Sequence, residues 1–238
     1  MALEKVVKQF MDHKIRVAIL DDHQGIIDGY SYRLSDAEDI EVVVTMSYGE
    51  ELEPALEEHP VDVLLLDIQV PIDQHNNNPF PVLYLIPKIL QRHPSLNILV
   101  ISMHHHRTLI HSTMESGASG YLLKDDKDKI QNLDQVIRNI VKGEIILSDQ
   151  AHLQLKKRRK DQINKPLSHR EIEALSLCAA YPDIDTAQLA KLMGIAHSTL
   201  RNLLSRAYLK LDVHNRTAAV AKAHQLGLLA PTDPPLEL

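Results

Sequence analysis

The sequence predicts two domains of different fold class, a doubly wound α/β domain followed by an all-α domain of four helices. Two observations lead to this prediction. Up to about Gly143, short apolar runs rich in β-branched residues alternate with stretches of helical periodicity, and beyond it we expect helices only. The chain has 238 residues, which at roughly 150 residues per domain leaves room for two.

Five apolar runs of the first domain are predicted to be strands. They are IRVAIL (Ile15–Leu20), IEVVVTM (Ile40–Met46), VDVLLL (61–66), LNILVIS (96–102) and SGYLL (119–123). Runs that are apolar throughout are typical of parallel strands buried on both faces. Helical spacing lies between them, at 49–58, 83–93, 108–116 and 127–142. We therefore expect a five-stranded parallel sheet in the order 2-1-3-4-5, with helices on both faces.

The second domain contains two residue pairs with the spacing of a capping box at the start of a helix. They are Ser168 with Glu171 and Asp185 with Gln188. Gly194 fits the end of the second of these helices, and a further helix is expected from about Ser198. The predicted divisions are an N-terminal extension (1–14), the first domain (15–147), a linker (148–165), the second domain (166–230) and a tail (231–238).

The composition excludes several classes of protein. With 44% hydrophobic and 24% charged residues the chain is not wholly disordered, and with one Cys and eight Gly it is neither a disulfide scaffold nor a collagen. No apolar run approaches the roughly 18 residues of a membrane helix. The first residues are too interrupted by charge for a signal peptide. We therefore expect a soluble, cytoplasmic protein.

The net charge of −6 would by itself argue against nucleic acid as a partner. The charge is unevenly distributed, however. Residues 1–149 contain 13 basic and 24 acidic side chains, whereas residues 150–238 contain 13 basic and 8 acidic ones. An acidic first domain is therefore joined to a basic second domain, and only the second has the charge that favours binding to a phosphate backbone.

Polar side chains follow the predicted strands at one edge of the sheet. Asp21 and Asp22 follow the first strand, Asp67 the third, Ser102 ends the fourth and Lys124 follows the fifth. A strand-end Asp taken alone is most simply a turn former or helix cap. Together these side chains should converge beyond the carboxyl ends of the strands, where a cluster of carboxylates suits Mg²⁺. A carboxylate, Mg²⁺, a hydroxyl and an ammonium are the groups needed to accept a phosphoryl group.

These residues, with Pro71 and the run GASGYLLKD at 117–125, resemble the receiver domain of two-component response regulators over about residues 15–143. The resemblance implies a flavodoxin-like fold and a function in phosphoryl transfer. The implied roles are Asp67 as phospho-acceptor, Asp22, Asp67 and the backbone carbonyl of Gln69 as direct Mg²⁺ ligands, Asp21 as a ligand through water, Ser102 and Lys124 as phosphate-binding residues, and Tyr121 as an aromatic switch. The alternative for Tyr121 is an ordinary half-buried strand residue.

The segment after Asp67 departs from the receiver pattern. Val70 replaces the usual Met, and residues 72–81 form a longer loop without Gly. This loop is either a tolerated surface insertion or a gate over the pocket. The run His104-His105-His106 is expected to be an exposed helix start, because consecutive His side chains cannot all face one metal ion.

The second domain resembles the LuxR-type (NarL/FixJ class) four-helix DNA-binding domain. The resemblance rests on LSHREIEAL and on TAQLAKLMGIAHSTLRNLLSRAYLKLDVHNRT. It implies a recognition helix with one apolar stripe and one polar face that enters the major groove. The residues predicted to contact DNA are Arg201, Asn202, Ser205 and Arg206 in the groove, with Thr199, Arg206, Lys210 and Arg216 on phosphates. Ala196 replaces the usual capping Ser, so we expect the helix to begin at Ser198 instead.

We interpret the chain as a DNA-binding transcription regulator that a sensor histidine kinase phosphorylates on Asp67, and not as an enzyme. When active it should bind paired half-sites of double-stranded DNA as a homodimer, and the acidic receiver could shield the basic domain until then. Two alternatives remain: a receiver that is not phosphorylated in practice, and an aspartyl-phosphate hydrolase. A hydrolase generally needs a second Asp where this chain has Gln69. Cys178, without a partner Cys, should be a buried inert thiol.

Overall fold

The computed structural model of the protein describes residues 14–156 and 167–230. The predicted N-terminal extension apart from its last residue, the predicted linker from residue 157 on and the predicted tail lie outside the described residues. The first described part covers the predicted first domain and the beginning of the predicted linker, and the second covers the predicted second domain from residue 167 on.

Eight strands are found among the described residues, six of them in one parallel sheet. The strands are β1 (Ile15–Leu20), β2 (Ile40–Met46), β3 (Val63–Leu66), β4 (Pro71–Asp73), β5 (Asn76–Pro79), β6 (Asn97–Ser102), β7 (Gly120–Leu123) and β8 (Ile146–Leu147). The order in the sheet is β2-β1-β3-β6-β7-β8, and β4 pairs with β5 in a separate hairpin.

Helices cover both faces of the sheet and form the whole C-terminal domain. Those of the N-terminal domain are α1 (Gln24–Ser35), α2 (Leu52–Glu58, after a 3₁₀ turn at Gly49–Glu51), α3 (Val82–Arg92), α4 (Arg107–Glu115), α5 (Lys127–Gln131), α6 (Leu133–Val141) and α7 (Asp149–Lys156). Those of the C-terminal domain are α8 (His169–Ala180), α9 (Thr186–Leu192), α10 (His197–Leu211) and α11 (Arg216–Gln225).

The five predicted strands and their order are confirmed, but the sheet has a sixth strand that the sequence did not predict. β8 pairs in parallel with β7, with Ile146 opposite Gly120 and Leu147 opposite Tyr121. The expectation that strands end at about Gly143 is therefore wrong. A strand of two residues is too short to produce a periodic pattern, and it forms by pairing with the backbone groups along one edge of β7.

The segment predicted to be a loop at 72–81 is instead largely the β4–β5 hairpin. Its turn is held by local side chains, since Asp73 accepts a hydrogen bond from the backbone N–H of His75 (2.7 Å) and Asn76 accepts one from Asn78 (3.1 Å). Asp and Asn stabilise turns in this way, although their low strand propensity conceals the hairpin in the sequence. The hairpin packs against α8 of the C-terminal domain.

Two predicted helices differ from expectation in continuity or in capping. The helix expected at 127–142 is broken at Asn132, whose backbone (φ −106°, ψ 38°) is not helical. The helix expected to begin at Ser198 begins at His197, with Ala196 at the N-cap and no side-chain cap. The hydrophobic contacts of α10 therefore fix its start without a capping hydroxyl. Both predicted capping boxes, and Gly194 (φ 64°) at the end of α9, are confirmed.

The sheet separates two hydrophobic cores. The core on the face of α1, α5 and α6 belongs to the N-terminal domain alone. The core on the face of α2, α3 and α4 continues without interruption into the C-terminal domain, where it includes Leu175, Leu200 and Leu204. The two domains are therefore packed together through apolar side chains.

Polar contacts between the domains surround this apolar interface. The carbonyl oxygen of Leu192, at the end of α9, accepts hydrogen bonds from the Tyr84 hydroxyl and the Lys88 ammonium of α3. The Thr108 hydroxyl of α4 lies 2.9 Å and 2.8 Å from the carbonyl oxygens of Leu226 and Gly227. None of the helices in the described ranges is both long and apolar enough to cross a membrane.

Candidate functional site

The carboxyl ends of β1, β3, β6 and β7 bring the predicted polar side chains to one edge of the sheet. Asp21, Asp67 and Ser102 are buried there, at 2%, 6% and 0% exposure. Lys124 follows β7, and its backbone N–H donates to the carbonyl oxygen of Ser102 (2.9 Å). The strands therefore fix the positions of these side chains, as expected for parallel strands of one sheet.

Lys124 bridges two buried carboxylates. Its Nζ lies 2.6 Å from Oδ2 of Asp21 and 2.7 Å from Oδ2 of Asp67. Burial raises the pKa of the Asp67 carboxyl, and the ammonium of Lys124 opposes that shift. Burial alone would lower the pKa of Lys124, but Asp67 and Asp21 outweigh it and the pKa is raised. Lys124 is therefore a fixed positive charge beside the carboxylate of Asp67.

Tyr121 and Ser102 form the neighbouring wall of the pocket. The Tyr121 ring is fully buried, and its hydroxyl donates to the carbonyl oxygen of His104 (2.6 Å). Burial raises the pKa of Tyr121, so its hydroxyl remains a hydrogen-bond donor at neutral pH. The Ser102 hydroxyl accepts from the backbone N–H of His104 (3.2 Å). The loop that starts at His104 is thus bonded to both residues predicted to respond to phosphate.

A second contact crosses the pocket from the end of β3 to the end of β6. Nε2 of His104 lies 2.8 Å from Oε1 of Gln69, and the backbone N–H of Gln69 donates to Oδ1 of Asp67 (3.2 Å). The His104-His105-His106 run is not a helix start in the strict sense, because α4 begins one residue later at Arg107. His105 and His106 are exposed and their rings stack, with centroids 5.4 Å apart.

The residues of this pocket fit a magnesium ion by their chemistry. Asp21 and Asp22 offer carboxylate oxygens close to the His23 ring, whose Nδ1 is 2.8 Å from Oδ1 of Asp22. Asp67 adds a third carboxylate, which Lys124 joins to Asp21. Three acidic groups with one ammonium leave an excess of negative charge, and hard oxygen donors are those that Mg²⁺ prefers.

The predicted recognition helix is α10, and its polar face is open. Arg201, Asn202, Ser205 and Arg206 are exposed, whereas Leu200, Leu204, Ala207 and Leu211 of the same helix are buried. Thr199, in its first turn, is exposed too. Within the described part of the chain, neither Arg201 nor Arg206 has a hydrogen-bonded or ion-paired partner. These side chains are therefore available to a ligand.

The other two residues predicted to contact DNA are Lys210 and Arg216, and both have partners within the protein. Lys210 pairs with the buried Glu171, with Nζ 2.7 Å from Oε2. Arg216 donates to the carbonyl oxygens of Ile184 (2.6 Å), Cys178 (3.3 Å) and Tyr181. Both side chains thus hold helices of the C-terminal domain together.

The open face of α10 bears on the expected shielding of the basic domain. In this arrangement of the domains the receiver packs against α8, the end of α9 and the end of α11, and the groove beside Arg201 and Ser205 faces solvent. The receiver therefore does not cover this face in this arrangement.

Several contacts between the domains were not predicted from the sequence. Tyr84 and Lys88 have the i, i+4 spacing of neighbours on a helix, but this spacing does not identify their partner at Leu192, more than 100 residues away. Thr108 gives no sequence signal either. Such contacts depend on how two folded surfaces meet, which local patterns do not encode.

Comparisons with known families match both domains. Residues 17–138 match the family described as response regulator receiver domain, and residues 165–223 match the family described as bacterial regulatory proteins, luxR family. The chain is 26% identical to the transcriptional regulatory protein DegU of Brevibacillus brevis, over 92% of this chain and 97% of DegU. It is 30% identical to the oxygen regulatory protein NreC of Staphylococcus epidermidis strain ATCC 35984, over 73% of this chain and 82% of NreC.

Solved structures agree with this fold. A structure of two RcsB dimers bound to two parallel DNAs aligns with a TM-score of 0.56 at 23% identity, over 90% of this chain and all of that chain. RcsB of Salmonella enterica serovar Typhimurium bound to promoter rprA aligns with a TM-score of 0.54 at 24% identity, over 88% of this chain and 98% of that chain. Because both family models match, the chain belongs to the response regulators that join a receiver domain to a LuxR-type DNA-binding domain and regulate transcription.

Proposed function

We propose that Asp67 is the phospho-acceptor of this regulator and that a sensor histidine kinase supplies the phosphoryl group. The observation that carries this proposal is the buried pair of Asp67 and Lys124, 2.7 Å apart. An ammonium fixed beside an attacking carboxylate would neutralise the charge of the incoming phosphoryl oxygens. The chain thus acts as an acceptor of phosphate rather than as an enzyme with turnover.

In the proposed reaction an Oδ atom of Asp67 attacks the phosphorus of a phosphohistidine. A bond between oxygen and phosphorus forms as the bond between the imidazole nitrogen and phosphorus breaks, and the kinase histidine leaves as the neutral ring after gaining a proton. Lys124 stays bonded to the acyl phosphate, and Ser102 donates its hydroxyl to a phosphoryl oxygen. The oxygen of this hydroxyl accepts from the backbone N–H of His104, so its own hydrogen is the one that would be donated to the phosphate.

Asp22, Asp67 and the backbone carbonyl of Gln69 would hold Mg²⁺ directly, and Asp21 would hold it through water. The ion would supply positive charge to the transferring phosphoryl oxygens. Asp21 and Asp22 lie at the rim beside His23, which pairs with Asp22. The His23 ring contacts Oδ1 of Asp22, and the second oxygen of this carboxylate would face the ion.

We also propose that α10 binds the major groove and that the active form is a homodimer on paired half-sites. The exposed face with Arg201, Asn202 and Ser205 would read bases, and Thr199 and Arg206 would contact phosphates. Lys210 and Arg216 would stabilise the domain through their internal bonds. The solved structures named above describe RcsB as dimers on DNA and as bound to a promoter, which supports the same arrangement for this chain.

The acceptor is tested by incubating the full chain with Mg²⁺ and a small-molecule phosphodonor. Intact mass should increase by one phosphoryl group, and gel filtration should show a dimer. Asp67→Asn should gain no mass, whereas Asp73→Asn, on the nearby hairpin, should behave like the unaltered chain. An unaltered chain that gains no mass would instead favour the receiver that is not phosphorylated in practice.

The DNA-binding face is tested by selecting duplexes from a random-sequence library with the full chain. Arg201→Ala should weaken binding by about 1–3 kcal/mol and relax the preference at one base pair. Arg206→Ala should weaken binding to all DNA sequences by a similar factor. Arg33→Ala, on α1 of the receiver, should leave both affinity and sequence preference unchanged. Unchanged affinity and preference in Arg201→Ala would contradict the assignment of α10.

A further inference from the structure

A cavity of about 690 Å³ lies between the two domains. Its receiver wall is one face of α4, and its opposite wall is the start of α8 with Leu228. Small-molecule sites in proteins typically have volumes of about 300–1,000 Å³ and are frequent at domain interfaces. The cavity therefore has the size and the position of a ligand site.

Basic side chains from both domains line this cavity. Arg107 and His111 come from α4, and His169 comes from α8. Two of these side chains face carboxylates. Nδ1 of His111 is 3.1 Å from Oε2 of Glu115, which also lines the cavity, and Nε2 of His169 is 3.5 Å from Oε1 of the buried Glu173. In contrast, the guanidinium of Arg107 has neither an ion-paired nor a hydrogen-bonded partner in residues 14–156 and 167–230. The cavity thus contains a positive charge that no described acidic group neutralises.

Two nitrogens in the opposite walls are shielded from solvent without a hydrogen bond. They are Nε of Arg107 and Nδ1 of His169, neither of which has a partner among the described residues. A buried polar nitrogen with no acceptor costs free energy that a bound acceptor can recover. Both nitrogens belong to side chains that line the cavity.

Hydroxyl and apolar groups complete the lining. Ser112 and Ser168 offer hydroxyls, whereas the Thr108 hydroxyl is already bonded to Leu226 and Gly227. Ile172 and Leu228 offer apolar surface. In addition, the first turn of α4 faces the cavity, and its N-cap residue His106 provides no side-chain cap. Free backbone N–H groups at a helix start add to the attraction for an anion.

We propose that this cavity binds a small organic anion, with a carboxylate or phosphate group held by Arg107 and His169 and an apolar part against Ile172 and Leu228. Because these two basic residues belong to different domains, the bound anion would bridge them. It would favour the docked arrangement in which Thr108 is bonded to Leu226 and Gly227. The regulator would then respond to a metabolite in addition to any phosphoryl signal.

Calorimetric titration of the full chain tests this proposal, with citrate as the carboxylate probe and glycerol 2-phosphate as the phosphate probe, in the absence of Mg²⁺. At least one probe should bind saturably. Arg107→Gln and His169→Gln should each weaken that binding at least tenfold. Arg92→Gln removes the same charge from an exposed pair with Glu53 on the receiver, and should leave it unchanged.

The same probes should raise the thermal unfolding temperature of the unaltered chain and of Arg92→Gln, but not of Arg107→Gln. This second measurement also shows whether each variant is folded, and His169→Gln tests the other wall independently. The proposal is overturned if neither probe binds saturably, or if Arg107→Gln and His169→Gln bind as tightly as the unaltered chain.

Discussion

Nζ of Lys124 lies 2.7 Å from Oδ2 of Asp67, in a pocket where the lysine side chain is only 10% exposed. The same atom lies 2.6 Å from Oδ2 of Asp21. A single buried ammonium thus balances two buried carboxylates. An ion pair of this kind is weak evidence of stability when intact, but it becomes costly when one partner is removed.

We expect Lys124→Ala to destabilise the protein by about 3 kcal/mol in the absence of divalent cations, because two buried carboxylates lose their counter-charge. Added Mg²⁺ should recover part of this loss if the pocket holds the ion as proposed. The measurement is the free energy of unfolding in urea with and without Mg²⁺.

Lys129→Ala is the matched control for Lys124→Ala. Lys129 lies 3.7 Å from the exposed Asp149, and an exposed pair contributes about 0–1 kcal/mol. A loss below about 1 kcal/mol for Lys124→Ala would show that water or a side-chain rearrangement replaces the ammonium.

Alanine substitutions at Gly227 and Gly194 separate the effect of the contact between the domains from the effect of backbone strain. Both have positive φ, 62° and 64°, so an Ala at either position costs about 1 kcal/mol of strain. A Cβ at Gly194 would meet no atom within 4 Å, whereas one at Gly227 would lie 2.3 Å from Cβ of His106. Gly227→Ala should therefore loosen the docking of the domains, and Gly194→Ala should not.

Hydrogen exchange of the full chains measures this difference. In Gly227→Ala the amides at the end of α11 and the start of α4 should exchange faster than in Gly194→Ala, and the radius of gyration should increase. Equal exchange in the two variants would mean that the His106 contact does not hold the domains together.

The sequence predicted those parts of the fold that local patterns encode. The strand Val63–Leu66 is apolar and buried at every residue. Its sequence alone therefore indicates that it lies between two layers of helices. The strand ends then fix where Asp67 and Lys124 lie. In contrast, β8 is only two residues long, and β5 consists of Asn76–Pro79, whose residues have low strand propensity.

Partners distant in the chain could not be predicted from sequence patterns. Arg216 was expected on DNA because basic residues cluster in the second domain, yet it bonds three carbonyl groups of its own domain. A basic side chain has the same sequence signature in both roles. Its partner becomes visible only when the end of α8 and the start of α11 are placed side by side.

Cys178 should resist thiol reagents in the folded protein. It is buried, and burial raises its pKa to about 11, although Arg216 opposes that shift. Since the thiolate is the reactive form, the thiol should be almost unreactive at about pH 7. Maleimide labelling followed by intact mass should give no modified native chain and complete labelling in urea. Complete labelling of the native chain would contradict the buried position of α8.

Arg216→Ala should unfold the C-terminal domain more readily, in contrast to a variant that only removes a DNA contact. Its guanidinium donates to three carbonyl oxygens, and hydrogen bonds from a charged donor contribute about 1.5–3 kcal/mol each. We expect a loss of about 3 kcal/mol in urea unfolding. The carbonyl groups of Ile184 and Tyr181 would be left without this donor.

Arg206→Ala provides the matched comparison, because Arg206 is exposed on α10 and no described residue pairs with it. Its stability should stay within about 0.5 kcal/mol of the unaltered chain while its DNA affinity falls. In Arg216→Ala, by contrast, the larger effect should be on the free energy of unfolding and the smaller one on DNA affinity. If Arg216→Ala loses DNA affinity at unchanged stability, Arg216 contacts phosphate and its internal bonds are dispensable.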